Sequence, residues 1–109
     1  QPQQATVMAM LECYEPSSVA WNILSKLATG FLTITDKQCI EAMKVLAKGE
    51  PYLESGESGA AGLAGLQAVL TNSEWRSQLG LTEHSVVWLI NTEGATDPEI
   101  YQSLLNSLE

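Results

Sequence analysis

The run Val86-Val87-Trp88-Leu89-Ile90 is apolar at every position. A strand with one wet face alternates apolar and polar residues. A run with no polar position suits a strand covered on both faces, as inside a parallel sheet. A second short run, Phe31-Leu32-Thr33-Ile34, is apolar and β-branched and also reads as a strand. Helical patterns separate the two. The expected order is α-α-β-α-α-α-β-α, an α/β class with a small partial parallel sheet of about two main strands and about five to six flanking helices. Two strands do not close such a sheet, because a buried strand needs neighbours on both edges. The expectation is therefore a sheet completed by dimerisation or by a larger protein. Residues 1–109 read as a single domain or a fragment, with residues 1–4 as a disordered or linker segment.

The helices are marked by their ends. Thr6–Cys13 is rich in helix formers, with Val7, Met10 and Leu11 on one face, and Glu15-Pro16 closes it. Ser17 or Ser18 can cap a second helix to about Ala28, with Gly30 as its terminating glycine. Thr35 and Gln38 have the spacing of a capping box, and Asp36 adds negative charge to the first turn. That helix is expected to run to about Lys48, burying Cys39, Ile40, Met43, Leu46 and Ala47. A helix from Ala60 to Leu70 follows, then a short one over Glu74–Leu79 capped by Ser73 and closed by Gly80. Asp97 and Pro98 open the last, to about Leu108.

Charge removes whole classes of function. Thirteen acidic residues against five basic ones give a net charge of −8. Five scattered cations cannot neutralise a row of phosphates, so nucleic acid is not an expected partner. An anionic membrane surface is excluded on the same ground. No apolar run approaches the roughly 20 residues that span a bilayer. At 45% hydrophobic residues the chain folds rather than behaving as an acidic tail. Gln1-Pro2-Gln3-Gln4 has no signal-peptide character, and two cysteines make no disulfide scaffold. A cytoplasmic location follows as the expectation.

Two segments can carry chemistry. Ser55-Gly56-Glu57-Ser58-Gly59 is a glycine-rich turn feeding a helix, a shape that presents free N–H groups to an anion. Glu57 would repel a phosphate, so the turn suits a polar ring or a cation better. The plain alternative is that Ser58 caps the helix and Glu57 complements its dipole. Asn91-Thr92-Glu93-Gly94-Ala95-Thr96-Asp97 follows the C-terminal end of the apolar run, where open α/β sheets place ligands. Its plain alternative is an ordinary connection ending in an Asp-Pro cap.

Other residues offer less. His84, the only histidine, lies in a polar turn and reads as a surface residue. Cys13 and Cys39 fall on apolar faces and read as buried, inert thiols. No zinc spacing and no calcium-loop pattern is present, so no metal site is expected. Trp21, Trp75 and Trp88 read as core or interface residues.

The two loops also carry a resemblance. Ser55-Gly56-Glu57-Ser58-Gly59-Ala60-Ala61-Gly62-Leu63 resembles the loop and helix near the end of fold-type II pyridoxal-phosphate enzymes. The form Ser-Gly-Glu-Ser-Gly-Ala is similar to that of the diaminopropionate ammonia-lyase family within this group. Thr92-Glu93-Gly94-Ala95-Thr96-Asp97-Pro98 is similar to that family's C-terminal motif, and Leu79-Gly80-Leu81 fits between the two. Upstream, Thr6-Val7-Met8-Ala9-Met10-Leu11, with Cys13, Pro16 and Trp21, fits as well. The four stand in the family's order, from about Thr6 to Tyr101.

The resemblance implies a C-terminal segment whose two loops border the cofactor ring. Glu57, Ser58, Gly59, Asn91 and Thr92 are the implied cofactor-binding residues. Asn91 stands where fold-type II enzymes commonly place a serine against the pyridine nitrogen, and Thr92 is a second donor for that place. The parent reaction implied is α,β-elimination of ammonia from 2,3-diaminopropionate, giving pyruvate. The family's Schiff-base lysine, phosphate loop and catalytic acid lie upstream of the matching segment. The chain alone is therefore expected to hold no catalytic residue, to bind no pyridoxal phosphate by itself and to be inactive. Its expected partner is a second copy or the missing N-terminal part of the enzyme. A free-standing small protein acting by self-association or partner binding is the alternative, and a C-terminal subunit of a split enzyme is another.

Overall fold

A computed structural model of the chain describes residues 5–107. Five helices form: α1 (Ser18–Leu27), α2 (Asp36–Lys48), α3 (Ala61–Leu70), α4 (Ser73–Gln78) and α5 (Pro98–Asn106). No strand is present among the described residues, so the expected α/β architecture with a parallel sheet is not what this chain forms. Phe31–Ile34 and Val86–Ile90 take no regular secondary structure, and no backbone hydrogen bond joins either to another described segment. A strand exists only by pairing, and neither run finds a partner here.

The start of the chain also departs from expectation. Thr6–Cys13 is not a helix; only a single 3-10 turn forms, at Ala9–Leu11. Asp36 at the start of α2 holds the segment instead. Its carboxylate accepts from the Thr6 hydroxyl and, at 3.2 Å, from the Val7 N–H. Those bonds compete with the helical pattern for the first residues' polar groups.

The caps of α1, α2 and α5 fall where the sequence puts them. Ser17 Oγ accepts from the Ala20 N–H at 3.3 Å. Thr35 and Gln38 form the reciprocal capping box: the Thr35 N–H donates to Gln38 Oε1 at 2.8 Å and the Gln38 N–H to Thr35 Oγ1 at 3.2 Å. Asp97 accepts from the N–H groups of Glu99 and Ile100, with Pro98 in the first turn. The cap of α4 is Asn72, one residue before the expected Ser73, and Gly80 closes that helix at φ +64°. Gly30 does not close α1, which ends at Leu27 with Ala28 extended. The expected end of α5 at Leu108 and the reading of residues 1–4 lie outside the described residues.

The core is small and centres on α2. Cys39, Ala42 and Met43 are fully buried, packed with Met8, Ala60, Ala64 and Tyr101. α2 lies between α3 and α5. Cys39 is buried as expected, but Cys13 is exposed, and both thiols are free. Trp21, Trp75 and Trp88 are all exposed, so none belongs to a core within this chain. No described helix is long and apolar enough to cross a membrane.

Candidate functional site

The glycine-rich turn and the loop before α5 lie against each other. The Gly56 N–H donates to the Glu93 carbonyl at 3.0 Å, and the Ser58 N–H to Glu93 Oε1 at 3.0 Å. Ser55 Oγ donates to Asn91 Oδ1 at 2.9 Å, while Asn91 Nδ2 donates to the Glu54 carbonyl at 3.4 Å. Glu54 Oε1 accepts from the Ala95 N–H at 3.1 Å. Five hydrogen bonds thus join the loops, and each loop supplies both donors and acceptors.

The glycines are there for this contact. A Cβ on Gly56 would collide with the Gly94 carbonyl oxygen and stand 3.0 Å from the Glu93 side chain. On Gly59 it would collide with Asn91 Oδ1 and come within 2.6 Å of the Glu93 carbonyl oxygen. Only residues without a side chain let the two backbones approach this closely.

The same contact decides which ligand the turn can take. The Glu93 carboxylate already accepts from the Ser58 N–H, one of the backbone donors an incoming anion would use. With Glu54, Glu57 and Glu93 all on the two loops, a phosphate would meet repulsion here. The turn is therefore no phosphate cradle. What the loops offer is polar groups left over from their own docking. Ser58 does not cap α3, whose N-cap is Ala60 with no side-chain bond. Its hydroxyl is buried and has no hydrogen-bond partner among the described residues. Glu57 is half-buried, and its carboxylate takes no part in the loop-to-loop bonds. Thr92 is exposed beside them.

All five residues expected at the cofactor, Glu57, Ser58, Gly59, Asn91 and Thr92, thus sit on this loop pair. They differ in what they have free. Gly59 is a contact glycine, and the Asn91 amide is engaged at both ends, by Ser55 and Glu54. Glu57, Ser58 and Thr92 keep unused polar groups. Sequence reasoning put Ser55 and Glu93 in the two candidate segments without a role and missed Glu54; these three hold the loops together. The one available signal was the pair of glycines, whose need for close approach implied a partner backbone.

Beneath the turn lies Cys39, whose thiol donates to the Glu57 carbonyl at 2.7 Å. Burial, reinforced by the negative charges of Asp36, Glu57 and Glu93, pushes that thiol up to about 11. It is a neutral spacer under the loop, not a nucleophile. No group of three or more His, Cys, Asp or Glu residues that could hold a metal occurs among the described residues. His84 is exposed and pairs with Glu83 at 3.3 Å, away from the loops in sequence.

The two loops thus form one hydrogen-bonded unit that leaves the polar groups of Glu57, Ser58 and Thr92 unused. Comparison with characterised proteins sets the chain beside ammonia-releasing lyases. It is 39% identical over 107 residues to the diaminopropionate ammonia-lyase of Escherichia coli (strain K12), and 33% identical over 108 residues to that of Salmonella typhimurium (strain LT2). Each comparison covers 93% of this chain but 27% of the relative, so the chain spans about a quarter of their length. No family model matches. The resemblance carried by the motifs is thereby shown for nearly the whole chain.

Proposed function

We propose that the chain is the C-terminal segment of a pyridoxal-phosphate-dependent lyase of the diaminopropionate ammonia-lyase type, supplying one wall of its cofactor site. The observation that carries this reading is the docking of its two motif loops into a single unit, in a chain 39% identical to such an enzyme. Bound pyridoxal phosphate would supply the electron sink that lets ammonia leave a diamino acid. The residues here would do the orienting. Glu57 and the Ser58 hydroxyl would face polar substituents of the ring, and Gly59 would keep the two loops close enough to form that wall. Thr92 is the better donor to the pyridine nitrogen, because the Asn91 amide is already bound within the chain. The filled anion position at Ser58 fits this division, with the phosphate held by residues outside the segment. The Schiff-base lysine is likewise assigned outside it, so the chain alone is inactive. Two free thiols suit a reducing cytoplasm.

A chimera tests the proposal. The matching quarter of the Escherichia coli enzyme is replaced by this chain, and pyruvate release from 2,3-diaminopropionate is measured. The expected result is an active chimera that loses activity on Glu57→Gln or Thr92→Val. A folded chimera that binds pyridoxal phosphate but releases no pyruvate would overturn the proposal.

A further inference from the structure

The backbone around Glu57 is bonded on both sides, while its carboxylate bonds to nothing among the described residues. The Gly56 N–H before it donates to the Glu93 carbonyl at 3.0 Å, and the Gly56 carbonyl accepts from the Ala60 N–H at 3.0 Å. The Glu57 carbonyl accepts from the Cys39 thiol at 2.7 Å. The Ser58 N–H after it donates to Glu93 Oε1 at 3.0 Å.

Two of these bonds meet on one peptide group. The Glu57 carbonyl and the Ser58 N–H belong to the same planar unit, and in a trans peptide they point in opposite directions. Cys39 therefore grips one edge and Glu93 the other. Both grips are anchored. Cys39 lies near the start of α2, behind the Thr35–Gln38 capping box, and is fully buried in the core with Ala42, Met43 and Ala60. Glu93 holds the turn twice, through its carbonyl and through its carboxylate. A peptide pinned at both edges cannot turn about its flanking bonds, so α2 and the second loop together set the direction of the Glu57 side chain. Core filling alone does not ask for a thiol at position 39. An apolar side chain could fill the same space, but it would leave the Glu57 carbonyl without this donor. Burial, reinforced by the carboxylates of Asp36, Glu57 and Glu93, keeps the thiol protonated up to about 11, so the donor is present throughout the ordinary pH range.

We infer that Cys39 is a positioning residue: with Glu93 it clamps the Glu57–Ser58 peptide from both edges, and the clamp sets how the Glu57 carboxylate meets the cofactor ring. The inference rests on the reading under Proposed function and extends that wall down into the core. A carboxylate whose backbone is fixed beforehand costs a ligand less to order than one that is free. Cys39 is too deeply buried to touch a ligand and acts through Glu57 alone.

Alanine and serine at position 39 separate this role from core filling. They differ by one hydroxyl, and only serine can donate to the Glu57 carbonyl. In the free chain, hydrogen exchange is followed at the Ser58 amide, on the edge of the peptide away from Cys39. Cys39→Ala should speed it on the order of 10-fold more than it speeds the Ala42 and Met43 amides, which report general opening of α2. Cys39→Ser should return most of the protection. In the chimera loaded with pyridoxal phosphate, Cys39→Ala should weaken the visible circular dichroism of the cofactor and lower kcat on the order of 10-fold. Cys39→Ser should recover most of both. In a Glu57→Gln background the dichroism should no longer respond to position 39. If the alanine variant fails to fold, Cys39→Val and Cys39→Thr make the same comparison with a larger side chain. Equal Ser58 exchange with and without the hydroxyl would overturn the clamp. A full dichroism response in the Glu57→Gln background would overturn its action through Glu57. Either result beside an active parent chimera refutes the inference and leaves the Proposed function standing. A parent chimera that binds pyridoxal phosphate but releases no pyruvate fails the Proposed function, while the exchange and the dichroism still decide the clamp.

Discussion

The Ser58 N–H points at the Glu93 carboxylate, 3.0 Å away, so the glycine-rich turn is closed by an anion belonging to the chain itself. The sequence of such a turn suggests an open anion site. The structure shows it already bonded to a second loop. The polar groups this docking leaves unused are those of Glu57, Ser58 and Thr92.

Glu93→Ala removes the acceptor and leaves the half-buried loop with an unpaired donor. The loss should be about 1.5–3 kcal/mol, the range for hydrogen bonds to a charged group. Glu93→Gln keeps an oxygen in place and should cost clearly less. Urea denaturation of the two variants checks the order, and equal losses would mean that the Ser58 contact contributes nothing to stability.

Glycines on the two sides of the turn should respond oppositely to alanine. At Gly59 a Cβ collides with Asn91 and the Glu93 backbone, so Gly59→Ala should separate the loops and lower the melting temperature. At Gly62, inside α3, it would meet Leu89 at 3.7 Å and the Ile90 carbonyl oxygen at 4.0 Å, both ordinary contacts. Gly62→Ala should therefore stabilise the chain by up to about 1 kcal/mol through helix propensity. Thermal melts of the pair give the sign of each.

Thr35→Ala breaks the capping box that starts α2, the helix at the centre of the core. About 1 kcal/mol is the expected loss. Chemical denaturation checks it, and Thr35→Ser should recover most of the loss, because the serine hydroxyl can accept the same Gln38 N–H.

These cases show what the sequence made legible. Caps and the buried face of α2 depend on residues three or four apart, and Thr35 with Gln38 or Asp97 with Pro98 announced them. The motif loops were legible too, by resemblance. Their mutual bonds span more than 30 residues, from Ser55 to Asn91 and from Ser58 to Glu93, and no local period reports such pairs. The sheet failed for a related reason. Val86–Ile90 has the composition of a covered strand, but pairing is a property of two segments, and the second is not among the described residues. The apolar pattern describes what the segment needs, and here that need is left as exposed surface.

The two cysteines should separate cleanly by reactivity and by pH. Cys13 is exposed, so a thiol reagent at pH 8 should modify one group per chain promptly. Cys39 is fully buried, with its thiol donated to the Glu57 carbonyl, and should react only as the chain opens. Its ionisation is pushed from an ordinary value of 9.0 up to about 11 by burial and by neighbouring carboxylates. Below pH 9 the thiol is neutral in the folded and unfolded chains alike, and its contribution is intact. Between pH 9 and about 11 the unfolded thiol gives up its proton first, so stability falls as pH rises. Burial also pushes Tyr101, with Tyr52 beside it, from 10.0 up to about 12, which extends the same loss to higher pH. Urea midpoints at pH 8 and pH 10.5 measure the fall. Cys39→Ala lowers stability at both pH values, because it opens a cavity in the core. It should nonetheless reduce the difference between them, and an unchanged difference would show that Cys39 is not the titrating group.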